Sequence, residues 1–598
     1  MTTTDAPPID KAALKAKYAE ERAKRLRPDG NDQYRRLAGD LLRDPHTPFT
    51  ERPPVTDHVT VAFVGAGFAG LVTGARLAQA GIRDVRLVDR AGDVGGTWYW
   101  NRYPGAQCDT ASLVYMPLLE ETGHMPSEKY AHGPELLEHC QRIATQFGLY
   151  EHALFHTDVT SVAWDDTDRR WVIETNRGDR FTADHVAMGT GPLHVPKLPD
   201  LPDIETFEGH SFHTSRWDYD YTGGDRFGAP LTGLADKRVA IIGTGATAVQ
   251  CIPHLARSAQ RLYVFQRTPS SVDVRANASV DPDWFATIAT PGWQKRWLAN
   301  FTANQTGGDA DEDLVQDGWT DLSRRIRERI AALAPDQRDP LKMWEAWEDS
   351  DFEKMEEIRR RIDAVVTDPD TAYRLKAWYR QLCKRPCFHD EYLDAFNEPG
   401  CVLVDTDGQG VSRITEHGVV VGETEYEVDC IIWSTGFEVG TDHTSRRGFD
   451  VAGRDGRLLS EHWADGMRSL HGIHVHGFPN LYVVQPSQGA NLISNVPHNL
   501  TESGETIAAV VAHAVRHGYR EVEVTAEAEQ AWLDLLLSGP GRMLGSADCT
   551  PGYYNNEGQP PGPMARTMVG HPQGATAFFD HIERWRTDGE FAGLDLRR

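Results

Sequence analysis

The sequence predicts an α/β fold with two Rossmann-like dinucleotide-binding domains, a helical insertion in the second and an N-terminal extension. Two observations carry that prediction. Apolar, strand-like runs end twice in glycine-rich loops: Val61-Ala62-Phe63-Val64-Gly65-Ala66-Gly67-Phe68-Ala69-Gly70 and Val239-Ala240-Ile241-Ile242-Gly243-Thr244-Gly245-Ala246-Thr247-Ala248. A helix-compatible run follows each loop, Leu71 to Ala80 and Val249 to Ala256. Strand, loop and helix in that order are what a G-x-G-x-x-G or G-x-G-x-x-A loop needs to receive a pyrophosphate. Two further strand-like segments, Ala183–Gly191 and Asp429–Phe437, each reach a Thr-Gly turn, and we read them as the two crossings that bracket an inserted second nucleotide domain. Two nucleotides bound side by side point to redox chemistry.

At 598 residues the chain exceeds what one core supports. Its 40% hydrophobic and 25% charged content is that of an ordinary globular protein. A net charge of -26 argues against general nucleic-acid binding, since phosphates would be repelled. No apolar run is long enough to span a bilayer, the N-terminus lacks a signal-peptide pattern, and no membrane partner is expected. Of the 8 cysteines, Cys383 and Cys387 lie close together without CxxC spacing, and they read as reduced thiols in a cytoplasmic protein. The expected assembly is a monomer or small homo-oligomer.

In chain order, residues 1-58 form the extension. Its stretch Asp10 to Arg27 has the composition of a charged helix, stopped by Pro28-Asp29-Gly30, and reads as a solvated helix draped over the body. The first nucleotide domain is expected to take residues 59-195 and 396-598. Its second strand ends at Asp89, about 20 residues past the loop, where a carboxylate hydrogen-bonds a ribose 2′-hydroxyl and would repel a 2′-phosphate. That fits the adenosine half of FAD or NAD. Gly95-Gly96-Thr97-Trp98-Tyr99-Trp100 then offers glycines for close approach to a flat ring and aromatics as a stacking wall. Asp109 follows that wall, and its residue type alone leaves it either a buried partner of a cation or a surface residue.

The second nucleotide domain is expected over 196-270 and 380-395, interrupted by a helical insertion at 271-379. In Leu262-Tyr263-Val264-Phe265-Gln266-Arg267-Thr268-Pro269, Gln266 stands where the acid stood and Arg267 follows. Losing the acid and gaining a guanidinium is how a site selects a 2′-phosphate, so this loop should prefer NADP(H). The insertion reads as separate amphipathic helices, Ser323 to Leu333, Leu341 to Trp347 and Phe352 to Val365. The chain re-enters through Lys384-Arg385-Pro386, where two bound cofactors must meet. Near the end, Cys549-Thr550-Pro551-Gly552-Tyr553-Tyr554-Asn555-Asn556-Glu557-Gly558 reads by default as a surface loop, although it could order over a ligand.

Phe207, Gly209, His213 and Trp217, spaced F-x-G-x-x-x-H-x-x-x-W between two glycine-rich loops, resemble the fingerprint of type I Baeyer–Villiger monooxygenases. GGTWYWNRYPGAQCD, QRTP and KRP stand in that family's order from Val59 to about Phe579. The related flavin-containing monooxygenases, which oxygenate N or S atoms, share the fingerprint but usually lack its tryptophan. The extension and the CTPGYYNNEG segment resemble the subgroup of cyclopentadecanone monooxygenase, which implies large cyclic or steroid-like ketones. The resemblance implies FAD and NADP(H) as cofactors, and a ketone and O2 as substrates. A flavin C4a-peroxide would be kept anionic by Arg385 with NADP+ in place, and one oxygen would enter beside the carbonyl to give an ester or lactone. It makes Arg385 the catalytic cation and Asp109 the residue that positions it, while Lys384, Arg267 and Thr268 would hold the NADP phosphate. Further cofactor contacts are expected at Gly65, Gly67, Gly70, Asp89, Gly96, Thr97, Trp98, Tyr99, Trp100, Thr110, Tyr115 and Val159. Others are expected at Gln107, Cys108, Thr244, Gly245, Ala246, Thr247 and Ala248. Gln107 replaces an arginine common in the family. His213 and Trp217 are expected to act in hinge geometry rather than proton transfer.

Overall fold

Two sheets position everything else. The structure, a computed structural model, describes residues 9–37, 39–308, 310–439, 448–484, 486–490, 495–539 and 548–598. The first sheet runs in the order Val451–Ala452, Val159–Asp165, Arg170–Thr175, Arg180–Met188, His58–Val64, Val85–Val88, with Leu481–Val483 also paired to Arg180–Met188. His58–Val64 lies parallel between two neighbours, and Val61, Ala62 and Phe63 are fully buried. A strand covered on both faces reads as an unbroken apolar run for that reason. The helices Phe68–Gln79 and Val496–His517 stack on one face of this sheet, and the bare Gly504 lets them approach: a Cβ there would stand 3.0 Å from Val72.

The second sheet is all parallel, in the order Cys401–Asp405, Arg261–Gln266, Arg238–Ile242, Cys430–Trp433, His210–His213. This corrects the expected return to the first domain at 396. Both Cys401–Asp405 and Cys430–Trp433 belong to the second sheet, so the chain goes back only after Gly436. The two Thr-Gly crossings run side by side there: Pro196 bridges Phe437, and the Lys197 N–H donates to the Gly436 carbonyl at 3.0 Å.

The insertion is helical, with the helices Pro282–Ile288, Trp293–Thr306, Gly318–Ala331, Pro340–Val365 and Pro369–Arg374. Leu341–Trp347 and Phe352–Val365, expected as separate helices, are one helix of 26 residues, N-capped by Asp339. The extension forms the helix Lys11–Arg25, N-capped by Asp10. As expected, it lies over the body with most of its residues exposed, and it docks through a few side chains. Lys15 pairs with Glu348 of the insertion at 2.7 Å, Tyr18 packs edge-on against Phe352, and Arg25 is buried against the second sheet's loop. The expectation of a reduced Cys383 is overturned as well: Cys383 is joined to Cys549 in a disulfide, while Cys387 stays a buried thiol. Distance along the chain hid this pairing, for 166 residues separate the partners. Among the described residues no helix is long and apolar enough to cross a membrane.

Candidate active site

The first glycine loop is shaped by close backbone contacts. Gly65 has φ 113°, and a Cβ there would lie 2.6 Å from the Gly189 carbonyl oxygen. A Cβ on Gly70 would lie 2.2 Å from the Gly65 oxygen. Gly67 and Gly96 face one another, and a Cβ on Gly96 would meet the Gly67 Cα at 2.8 Å. A side chain at either position would close the crevice between the loop and the GGTWYW turn, so the cradle fits a dinucleotide. Asp89 accepts from the backbone N–H of Ala66 at 2.6 Å and of Ala91 at 2.8 Å, and burial pushes its carboxyl upward. Val159 begins the strand just beyond Thr157, whose N–H donates to the Asp89 carbonyl.

Thr97–Trp100 is a single helical turn that presents three aromatics. Trp98 donates to the Tyr115 hydroxyl at 3.1 Å, and Phe68 packs on Tyr115. Tyr99 points away to Asp44 and Thr47 of the extension. The Thr110 N–H reaches the Cys108 sulfur at 3.4 Å, and burial pushes that thiol up to about 12. Gln107 exchanges hydrogen bonds with Gln250 of the second unit, and Arg275 donates to its side-chain oxygen. An arginine therefore does stand beside position 107, brought by another element.

Asp109 is 5% exposed and receives both terminal nitrogens of Arg385 at 2.6 Å each. A bidentate, charge-assisted pair fixes the plane of the guanidinium as well as its position. The Trp319 indole of the insertion donates to the Asp109 carbonyl at 2.8 Å, and its ring stands under the Arg385 guanidinium. Burial works against the charge on Arg385, but the Asp109 carboxylate outweighs it and holds the group above the ordinary arginine range. First unit, insertion and re-entrant turn thus meet at one permanently positive side chain.

The second loop opens outward. Gly243 has φ 111° and packs against Ser434, whereas Gly245 is exposed and a Cβ there would meet nothing within 4 Å. Ala246 starts the helix Ala246–Ser258, and Thr244, by contrast, is buried and donates to the Thr268 carbonyl at 2.8 Å. Thr247 and Ala248 lie in the first turn of that helix. Gln266 is fully buried and donates to the Arg374 carbonyl, which explains why no acid stands there. Arg267, Lys384 and the buried Lys197 gather beyond the strand end. Burial and then the Arg267 charge push the Lys384 ammonium down to about 8. The cationic donor set fits a phosphate-bearing dinucleotide.

A family model described as pyridine nucleotide-disulphide oxidoreductase matches residues 62–295. A Baeyer-Villiger monooxygenase of Streptomyces coelicolor is 48% identical over 590 residues, covering 96% of both chains. The chain belongs to the Baeyer–Villiger monooxygenase family. The neopentalenolactone D synthase of Streptomyces avermitilis is 50% identical over 596 residues, 98% of this chain and 100% of its own. The solved polycyclic ketone monooxygenase of Thermothelomyces thermophila is 39% identical with a TM-score of 0.89, covering 98% of each chain.

In this Baeyer–Villiger monooxygenase the fingerprint joins the two units. Gly209 is bare because the Phe207 ring folds over it, 2.5 Å from where a Cβ would stand. His213 ends the edge strand of the second sheet, fully buried and bonded to Ser215, and burial pushes its imidazole down to about 3. Trp217 is 1% exposed, packs on Phe212 and donates to Thr222. Arg216, between them, lies 3.6 Å over the Trp100 ring of the first unit, and Tyr219, just beyond, donates to the Arg102 carbonyl. Sequence reasoning missed Arg25, Gln33, Lys197, Arg275, Trp319 and Glu557. Gln33 and Glu557 meet Arg267, and the others reach Thr268, Gln107, Asp109 or the Lys384 cluster from distant elements; only the Asn-Asn-Glu-Gly turn holding Glu557 carried a local signal.

Proposed function

We propose that the protein uses NADPH and O2 to insert one oxygen atom beside the carbonyl of a polycyclic or other large cyclic ketone, giving a lactone. FAD, bound along Gly65, Gly67, Gly70 and Gly96, would supply the oxygen-activating redox chemistry, with NADPH held at Thr244–Ala248, Arg267, Thr268 and Lys384 as reductant. The large-ketone reading is supported by the likeness to a polycyclic ketone monooxygenase. The observation that carries the proposal is the bidentate Asp109–Arg385 pair.

Both carboxylate oxygens of Asp109 are engaged by the guanidinium, so Asp109 orients rather than abstracts a proton. Arg385 stays protonated at working pH and presents fixed positive charge where negative charge develops on oxygen. His213 is buried and neutral, which suits it to hold the inter-unit contact and not to shuttle protons. Trp319 screens the pair from one side.

Arg385→Ala should lower lactone formation by about 10²–10³ or more while FAD content is retained. The measurement is product mass from a panel of large cyclic ketones, scored for a gain of one oxygen. Near-normal lactone yield from that variant would remove Arg385 from its role.

A further inference from the structure

The cations assigned to the 2′-phosphate already hold an acid. Arg267 donates from one terminal nitrogen to Gln33 at 2.5 Å and from the other to Glu557 at 3.4 Å. Lys197 stands 3.9 Å from the other oxygen of the same carboxylate, and Lys384 also feels its charge. Glu557 itself is 3% exposed, although it comes from a segment whose composition is that of a surface loop. Its backbone is held in an unfavourable state: Asn556, Glu557 and Gly558 have φ of 53°, 53° and 80° in succession. Left-handed backbone at a non-glycine residue costs free energy and persists only where the surroundings impose it. Here the imposed geometry seats one carboxylate on the cation cluster.

Building on the NADP(H) reading above, we infer that Glu557 is a stand-in for the 2′-phosphate, a carboxylate that occupies the cation cluster until the phosphate displaces it on binding. Each terminal nitrogen of Arg267 gives one hydrogen bond to these partners, so a phosphate arriving at the same guanidinium competes with them for its charge and donors. Of the two partners, Gln33 is neutral and can remain beside a dianion, whereas Glu557 would be repelled by it. A cofactor ending in a 2′-hydroxyl brings no charge with which to displace the carboxylate. Glu557 therefore lowers the affinity for a cofactor that bears the 2′-phosphate, which must displace it, and leaves the affinity for one without that phosphate little changed.

The test uses the full-length, FAD-loaded protein with 2′,5′-ADP and 5′-ADP as probes, titrated calorimetrically. Glu557→Gln keeps the shape and removes the charge. It should tighten 2′,5′-ADP binding by about tenfold and leave 5′-ADP within about twofold. In the unaltered protein, saturating 2′,5′-ADP should speed amide hydrogen exchange over residues 552–558, and 5′-ADP should not. Unchanged or weaker 2′,5′-ADP binding by Glu557→Gln, or protection of 552–558 by the probe, would make Glu557 a permanent structural partner and overturn the inference. Arg267→Ala separates the underlying reading: if that variant binds 2′,5′-ADP as the unaltered protein does, the phosphate site itself is misplaced.

Discussion

Lys384 has its ammonium pushed down to about 8, chiefly by burial and then by Arg267. Below that pH the group is charged and can meet a phosphate dianion. Above it Lys384 is neutral, and binding a phosphate there must first take up a proton. The sign follows: KM for NADPH should rise as pH passes about 8, by at most about tenfold per pH unit. Lys384→Arg should flatten the profile, because a guanidinium stays protonated throughout. Steady-state KM across that range is the check, and a flat profile in the unaltered protein would take Lys384 out of the phosphate site. At this scale the sequence was informative where a motif carried the residue. Arg385 and Asp109 lie 276 positions apart, and only motif order named both. Lys197 belongs to no motif, and the segment that holds Glu557 says nothing of Arg267, so the approach of both to that residue is set by tertiary packing.

The N-terminal helix was legible as a helix and illegible as part of the site. Its buried residues are Leu14, Glu21 and Arg25, two charged and one apolar, so no hydrophobic stripe announces a docking face. Lys15 pairs with Glu348 and Lys24 with Asp407, and Arg25 docks by hydrogen bonds. Arg25 is held by Glu21 at 2.6 Å and donates to the Thr268 hydroxyl and the Arg267 carbonyl at 3.2 Å each. Arg25→Ala should therefore raise KM for NADPH by about tenfold while kcat stays within about twofold, since Arg25 touches no reacting atom. A change confined to kcat would contradict that placement. The break expected near residue 350 has a similar cause. Asp and Ser are weak helix formers, yet Ser350 returns its hydroxyl to the Ala346 carbonyl and Asp351 accepts the Gln381 N–H, so tertiary contacts carry the helix through.

Across the whole molecule, the paired nucleotide units were readable because strand, loop and helix recur in fixed order, and the boundary at 396 was not. Cys401–Asp405 is a short apolar strand with no flanking loop motif, and its place beside Arg261–Gln266 depends on sheet pairing. The Cys383–Cys549 bond has a consequence for the intact polypeptide. It closes a covalent ring that starts two positions before Arg385 and ends just ahead of the Glu557 turn. Protease nicking at any single site inside that ring should leave one band on a gel without reductant and two with it, whereas nicked Cys383→Ser should fall apart under both conditions. Two bands without reductant from the unaltered protein would show the thiols unjoined. A clipped chain would thus keep the segment that bears Glu557 attached, and damage to the backbone need not end its working life.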